Sequence, residues 1–117
     1  MPKIFYVHWH EAEVKQRVRD LEVDGHEVGC HWSQAEHMRL GDGLPDIMVI
    51  SLDRLPSHGR QIAEWLWEAK KRQHIPIIFA GGKPDKIEAT RTKFPTAVYC
   101  ETEDVPSAVR NLIAKRD

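Results

Sequence analysis

The chain has 117 residues, of which 41% are hydrophobic and 30% charged, the balance of a folded chain and not of a disordered tract. That length accommodates one hydrophobic core and not two. The net charge of −1, with seven histidines counted as neutral, leaves no basic excess with which to bind nucleic acid or an anionic membrane.

Apolar runs alternate with helical patterns from end to end. The run IFYV (4–7) is continuous enough for a strand buried on both faces. In EAEVKQRVRDLEVDG (11–25), Val14, Val18 and Leu21 fall at i, i+4 and i+7, one face of a helix, which Gly25 is placed to stop. HEVGCHW (26–32) is shorter and more polar, an edge strand. SQAEHMRLGDG (33–43) opens with Ser33 and Glu36 at capping-box spacing and closes on Gly41 and Gly43, which predicts a second helix.

DIMVIS (46–51) is the most hydrophobic strand and belongs at the centre of the sheet. After a loop, RQIAEWLWEAKKRQ (60–73) sets Ile62, Trp65, Leu66 and Ala69 on one face and leaves Trp67 partly exposed. Ser57 is suited to cap that helix, and Lys70–Arg72 reads as its basic end. IPIIFA (75–80) is another central strand, and GGKPD turns into KIEATRTKF (86–94), whose buried candidates are Ile87 and Phe94. AVYC (97–100) is the fifth strand. DVPSAVRNLIAKR (104–116) is a final helix with Val105, Val109, Leu112 and Ile113 inward.

Neither Cys30 nor Cys100 belongs to a CxxC pair, so free structural thiols buried in strands are expected. No apolar run approaches the roughly 20 residues needed to span a bilayer, and the first strand stands where a signal sequence would. A soluble cytoplasmic protein is the expectation.

Five strands alternating with five helices predict a single α/β domain over 1–117, its parallel sheet covered on both faces. For this length the flavodoxin-like order 2-1-3-4-5 is the natural closure. Chemistry then collects at the carboxyl edge of the strands. That edge holds His8, Trp9 and His10, the stretch Ser51 to Pro56, Ala80 to Lys83, and Cys100 to Thr102.

LPDIMVISLDRLPSHGRQIAEWLWEAKKRQHIPIIFAGG (44–82) resembles the middle of a response-regulator receiver domain of the chemotaxis type. There, a buried strand ends in a phospho-accepting aspartate, followed by a loop with Pro and Gly, a long helix and an "IP" strand. The RLPSHGR loop (54–60) is also similar to that of a group of uncharacterised bacterial receiver-like proteins. The resemblance implies a two-component signalling module, and five positions on which its phosphotransfer would depend. Two acids after the first strand would hold Mg²⁺, a hard cation that prefers oxygen ligands; His8 and Trp9 stand there, with Glu11 further along. Ser51 or Leu52 falls at the acceptor position, and Asp53 comes one or two residues late. Ala80 or Gly81 replaces the hydroxyl residue after the fourth strand, and Glu101 or Thr102 replaces the lysine after the fifth. Tyr99 matches the aromatic switch.

A phosphoaspartate carries about two negative charges. Two unit charges about 4 Å apart repel by about 4 kcal/mol at an effective dielectric near 20, so Glu101 with no compensating cation argues against phosphorylation. The resemblance with these losses implies a non-catalytic pseudo-receiver, neither an enzyme nor dependent on a cofactor. It would act on a protein partner, including a second copy of itself, through the face of the fourth helix, fifth strand and fifth helix.

Other chemistries remain open. His8 and His10 share a face if the strand continues; with Asp53 and His58 they make a candidate transition-metal set. Histidines also titrate between about pH 5 and 8, which allows a pH-responsive sensor. Asp53 is the residue an atypical receiver would phosphorylate. GGKP opens a helix but lacks the GxxxxGK[ST] pattern of a phosphate loop. Ser51, Ser57 and His58 lack GxSxG, and nothing in the sequence around Cys100 activates its thiol.

Overall fold

A computed structural model describes residues 2–33, 38, 40, 43–54 and 56–116. Its centre is a five-stranded parallel sheet built from β1 (Lys3–Val7), β2 (Glu27–His31), β3 (Ile47–Ser51), β4 (Ile77–Ala80) and β5 (Val98–Cys100). The order is β2-β1-β3-β4-β5, as expected. Register places Val7 beside His31 and Ile50, and Ser51 beside Ala80. Strands β3 and β4 are buried throughout, whereas β2 and β5 are half-buried edges.

Alternation along the strands splits the core in two. Phe5, Val7, Met48, Ile50 and Phe79 face Ala63 and Leu66 of helix α2 (Pro56–Glu68) and Ile87 of α3 (Pro84–Lys93). On the other side, Ile4, Tyr6, Val49 and Ile78 face Val14 and Leu21 of α1 (Glu11–Glu22) and Val105 and Val109 of α4 (Val105–Arg116). Both faces of the sheet are therefore covered, which is why its inner strands are apolar without alternation.

Four α-helices occur among the described residues, not five. The helix expected over 33–43 falls largely on 34–37, 39, 41 and 42, outside the described residues; Ser33, Met38, Leu40 and Gly43 are not helical.

Helix α2 starts at Pro56 and stops at Glu68, not 60 and 73. Ser57 is thus inside the first turn and not its cap. The buried stripe is Gly59, Ile62, Ala63, Leu66 and Trp67, again at i, i+3, i+4, i+7 and i+8, with Gly59 set closely against β3. The two tryptophans consequently exchange roles. Trp65 is 38% exposed, with the Arg72 guanidinium 4.1 Å over its ring. Trp67 packs on the core, and its Nε1–H donates to Ile75 O at 2.8 Å. Arg72 donates to the Trp65 and Leu66 carbonyls, satisfying groups that further helix would have used.

Smaller corrections have local causes. Thr90 of α3 is fully buried because its hydroxyl bonds back to Lys86 O at 2.7 Å. Leu112 and Ile113 pack only partly against the core. Cys30 and Cys100 are free, but half-buried and not buried, since both lie on edge strands. No described helix is long and apolar enough to cross a membrane.

Gly59 lets α2 approach β3 closely: a Cβ there would lie 2.8 Å from Ile50 Cγ2 and 3.2 Å from Ser51 O. In an exposed helix Gly→Ala gains about 1 kcal/mol. Here overpacking of about 1–3 kcal/mol outweighs it, so Gly59→Ala should lower the urea unfolding midpoint.

Candidate functional site

The residue after β1 organises the carboxyl edge. His8 is fully buried, and both its ring nitrogens are engaged. Nδ1 meets Ser51 Oγ at the end of β3 at 2.8 Å, and Nε2 meets Glu13 Oε1 at 2.6 Å. Arg54 closes the chain with two hydrogen bonds to Glu13, at 3.2 and 2.8 Å, from a backbone held at φ 65°. Ser51 Oγ also accepts the Asp53 N–H at 3.2 Å.

These partners determine the proton positions. The Glu13 carboxyl is held down to about 2, first by its hydrogen bond from Arg54 and then by that from His8. It can only accept, so Nε2 carries a proton. Burial lowers the His8 pKa from the usual 6.5 despite the Glu13 hydrogen bond, so the ring is neutral at neutral pH. Nδ1 then accepts the Ser51 hydroxyl proton. The chain reads Asp53 N–H to Ser51, Ser51 to His8, His8 to Glu13, with each donor answered.

Asp53 follows a different path. Its Oδ1 accepts Gly82 N–H at 2.8 Å, and its Oδ2 lies 3.4 Å from Thr102 Oγ1 and 3.8 Å from Arg17 Nη2. The carboxylate presses on the turn after β4, where Gly81 and Gly82 have φ of 72° and 95°. A Cβ on Gly81 would lie 2.6 Å from Asp53 Oδ2, so the space of a hydroxyl side chain is filled by Asp53 itself. Leu52, at the other candidate acceptor position, is buried in the core. Arg17 corrects the expectation that no cation stands here. It comes from the second turn of α1, and Glu101 points to solvent.

The histidines do not converge. His10 caps α1 by accepting Glu13 N–H at 3.2 Å, while His58 packs edge-on against Trp9, as His31 does from β2, both with centroids 5.6 Å apart. No set of three His, Cys, Asp or Glu side chains among the described residues could hold a metal ion. Mg²⁺ fits poorly for the same reason: the residues after β1 offer an engaged imidazole and an indole where oxygen ligands are needed. GGKP forms a turn with Pro84 opening α3 and no side-chain cap at Lys83.

Ser51 and His8 do form a serine–histidine–carboxylate series with Glu13, but both are fully buried and no substrate carbonyl can reach the hydroxyl. Burial, with Asp104, Glu101 and Glu103 nearby, pushes the Cys100 thiol up to about 11, away from nucleophilic use. Tyr99 stacks on Phe79 at 5.3 Å, donates its hydroxyl to Phe94 O at 2.8 Å and carries the Arg91 guanidinium over its ring. Glu13 and Arg17, central to this edge, were not among the sequence candidates. Both are polar residues of a helix whose only periodic signal is its apolar face.

Solved structures similar in fold include response regulators and a receiver domain. The Francisella response regulator 1452 receiver domain is similar over 100% of both chains, with a TM-score of 0.73 and 17% identity. The bacteriophytochrome response regulator RtBRR matches 96% of this chain and 78% of its own, with a TM-score of 0.71 and 14% identity. The phosphorylated cyanobacterial phytochrome response regulator RcpA covers 95% of this chain and 90% of its own, at 0.68 and 15%. No protein-family model matches the sequence, and no curated protein does. The chain has the flavodoxin-like fold of response-regulator receivers.

Three measurements test the buried chain. Ser51→Ala strands His8 Nδ1 and Asp53 N–H and should cost about 1–3 kcal/mol in urea unfolding. Because folding lowers the His8 pKa, the unfolded chain binds the extra proton. Stability should be full above pH 6.5 and fall as pH drops from there through the lower native value. A further loss should follow between 4.5 and about 2 as Glu13 is protonated. ¹⁵N NMR should show His8 as the neutral Nε2–H tautomer at pH 7.

Proposed function

We propose that this chain is a receiver-fold regulatory module that works by protein–protein contact and takes up no phosphoryl group. One observation carries the reading: a buried imidazole, spent on Ser51 and Glu13, occupies the place where a receiver's acids would bind Mg²⁺. Without that cation, a phosphoryl group on this edge loses the charge that would activate it. The contact surface is the face of α3, β5 and α4, where Tyr99 is already fixed beneath Arg91; a second copy of this chain is one partner such a face suits. The fold likeness to response regulators supports a place in bacterial signalling, in the cytoplasm and without catalysis.

A second reading has its own support. Arg17, Thr102 Oγ1 and Gly82 N–H surround the Asp53 carboxylate, an anion-stabilising set that suits phosphorylation of Asp53. Incubation with acetyl phosphate and Mg²⁺, followed by intact mass analysis, separates the two. The proposal expects no mass increase. An added phosphoryl group that disappears in Asp53→Asn would establish the second reading instead.

A further inference from the structure

The two edges of the sheet carry unanswered charge of opposite sign. At the carboxyl edge, Glu101, Glu103 and Asp104 stand exposed in the turn that leads from β5 into α4. At the amino edge, Lys70 and Lys71 follow the end of α2 and Lys115 lies in the last turn of α4, again exposed. None of these six side chains enters an ion pair among the described residues. A helix end carries about half an elementary charge. The ends of α2 and α4 together therefore balance about one of the three lysines, and the start of α4 balances less than one of the three carboxylates. Neighbouring side chains cancel little more. Arg17 is turned to Asp53 and Arg54 to Glu13, while Lys83 and Lys86 share α3 with Asp85. On the amino edge Arg72, stacked on Trp65, restores the charge that Glu68 removes. Asp46 accepts Lys3 N–H at 2.7 Å, and Glu22 and Glu27 lie at the far, β2 side.

The amino edge also holds the exposed apolar surface. The large hydrophobics most open to solvent among the described residues are Val23 at the end of α1, Leu44 before β3 and Trp65 in the last turn of α2. Singly such residues are ordinary; gathered on one edge beside unpaired cations they mark a contact surface. A cavity of about 260 Å³ lies on the same edge, lined by Leu112, Pro76, Asp46, His74 and Lys115.

We infer that the amino edge, around Lys70, Lys71 and Lys115, docks the acidic turn Glu101–Asp104 of a second copy of this chain. Charge complementarity selects that occupant, since each molecule carries both the unpaired lysines and the unpaired carboxylates. Pro106, half-buried beside the acidic turn, adds apolar contact. The contact is head-to-tail, so every molecule added leaves one acidic turn and one basic edge free, and assembly extends beyond a dimer. A symmetric contact through α3, β5 and α4 stops at two. An exposed ion pair changes affinity by at most about fivefold, so the contact is weak and forms at high concentration and low salt. It is independent of how Asp53 is read.

Sedimentation velocity on the full chain tests the contact. At about 1 mM protein and about 0.02 M salt, where screening is weak, the average mass should climb past that of a dimer as concentration rises. At about 0.5 M salt it should return to the monomer. Lys70→Gln with Lys71→Gln, and separately Glu101→Gln with Glu103→Gln, should each weaken association about tenfold or more. Unfolding midpoints should stay within the small range of surface substitutions. Each double variant keeps one intact surface, so an equimolar mixture should form a one-to-one dimer that does not extend. A wild-type chain that stays monomeric at low salt, association indifferent to salt, or a mixture no more associated than either variant alone would overturn the inference. So would a closed dimer that both double variants retain, which would instead place the self-contact on the face of α3, β5 and α4.

Discussion

The hydrogen-bonded imidazole of His8 is the interaction on which the carboxyl edge depends. It joins the end of β1 to the end of β3 through Ser51 and to the first turn of α1 through Glu13. Through Ser51 it also fixes Asp53 N–H, and through Glu13 it anchors Arg54. One neutral ring thereby ties two strands, a helix and a loop. Neutrality is essential, because a second ring proton would need an acceptor that Ser51 supplies only by giving up its own donation. A buried polar network of this kind specifies geometry as much as it stabilises.

Asp53 shows the complementary principle. Its carboxylate is 39% exposed and touches a guanidinium only at 3.8 Å, so solvent shares in balancing its charge and the ion pair itself contributes little. The directed contact is the one with Gly82 N–H. That bond holds the loop after β3 against the turn after β4, and the positive φ of both glycines presents the N–H to the carboxylate. The edge is thus closed by backbone geometry and one hydrogen bond more than by net charge.

Much of this was legible in the sequence. The sheet order followed from continuous apolar runs separated by helical periods, and every strand occurs where its run lies. Helix α2 was harder, because two stripes with helical spacing run through 59–69 and differ by about one residue in phase. Pro56, good at a helix start, favours the earlier boundary and Ser57 a later cap, and neither sets the phase of the buried face. The site was legible only as a position. His8 and Ser51 are 43 residues apart, and Arg54 and Glu13 are 41 apart; no spacing rule joins such pairs. Arg17 was equally hidden, since a basic residue on a helix reads as solvated until the fold turns it towards the strand ends.

The glycine turn after β4 has a consequence for how this sequence can change. Installing threonine or serine at position 81 sets a Cβ 2.6 Å from the Asp53 carboxylate, and any side chain at 82 meets Leu52 Cβ at 2.7 Å. Each substitution also imposes a left-handed backbone on a residue that resists it. A side chain at position 81 becomes tolerable only after the Asp53 carboxylate has withdrawn from the turn. Single substitutions on this turn therefore run uphill, and the turn works as a ratchet that keeps the edge in its present arrangement.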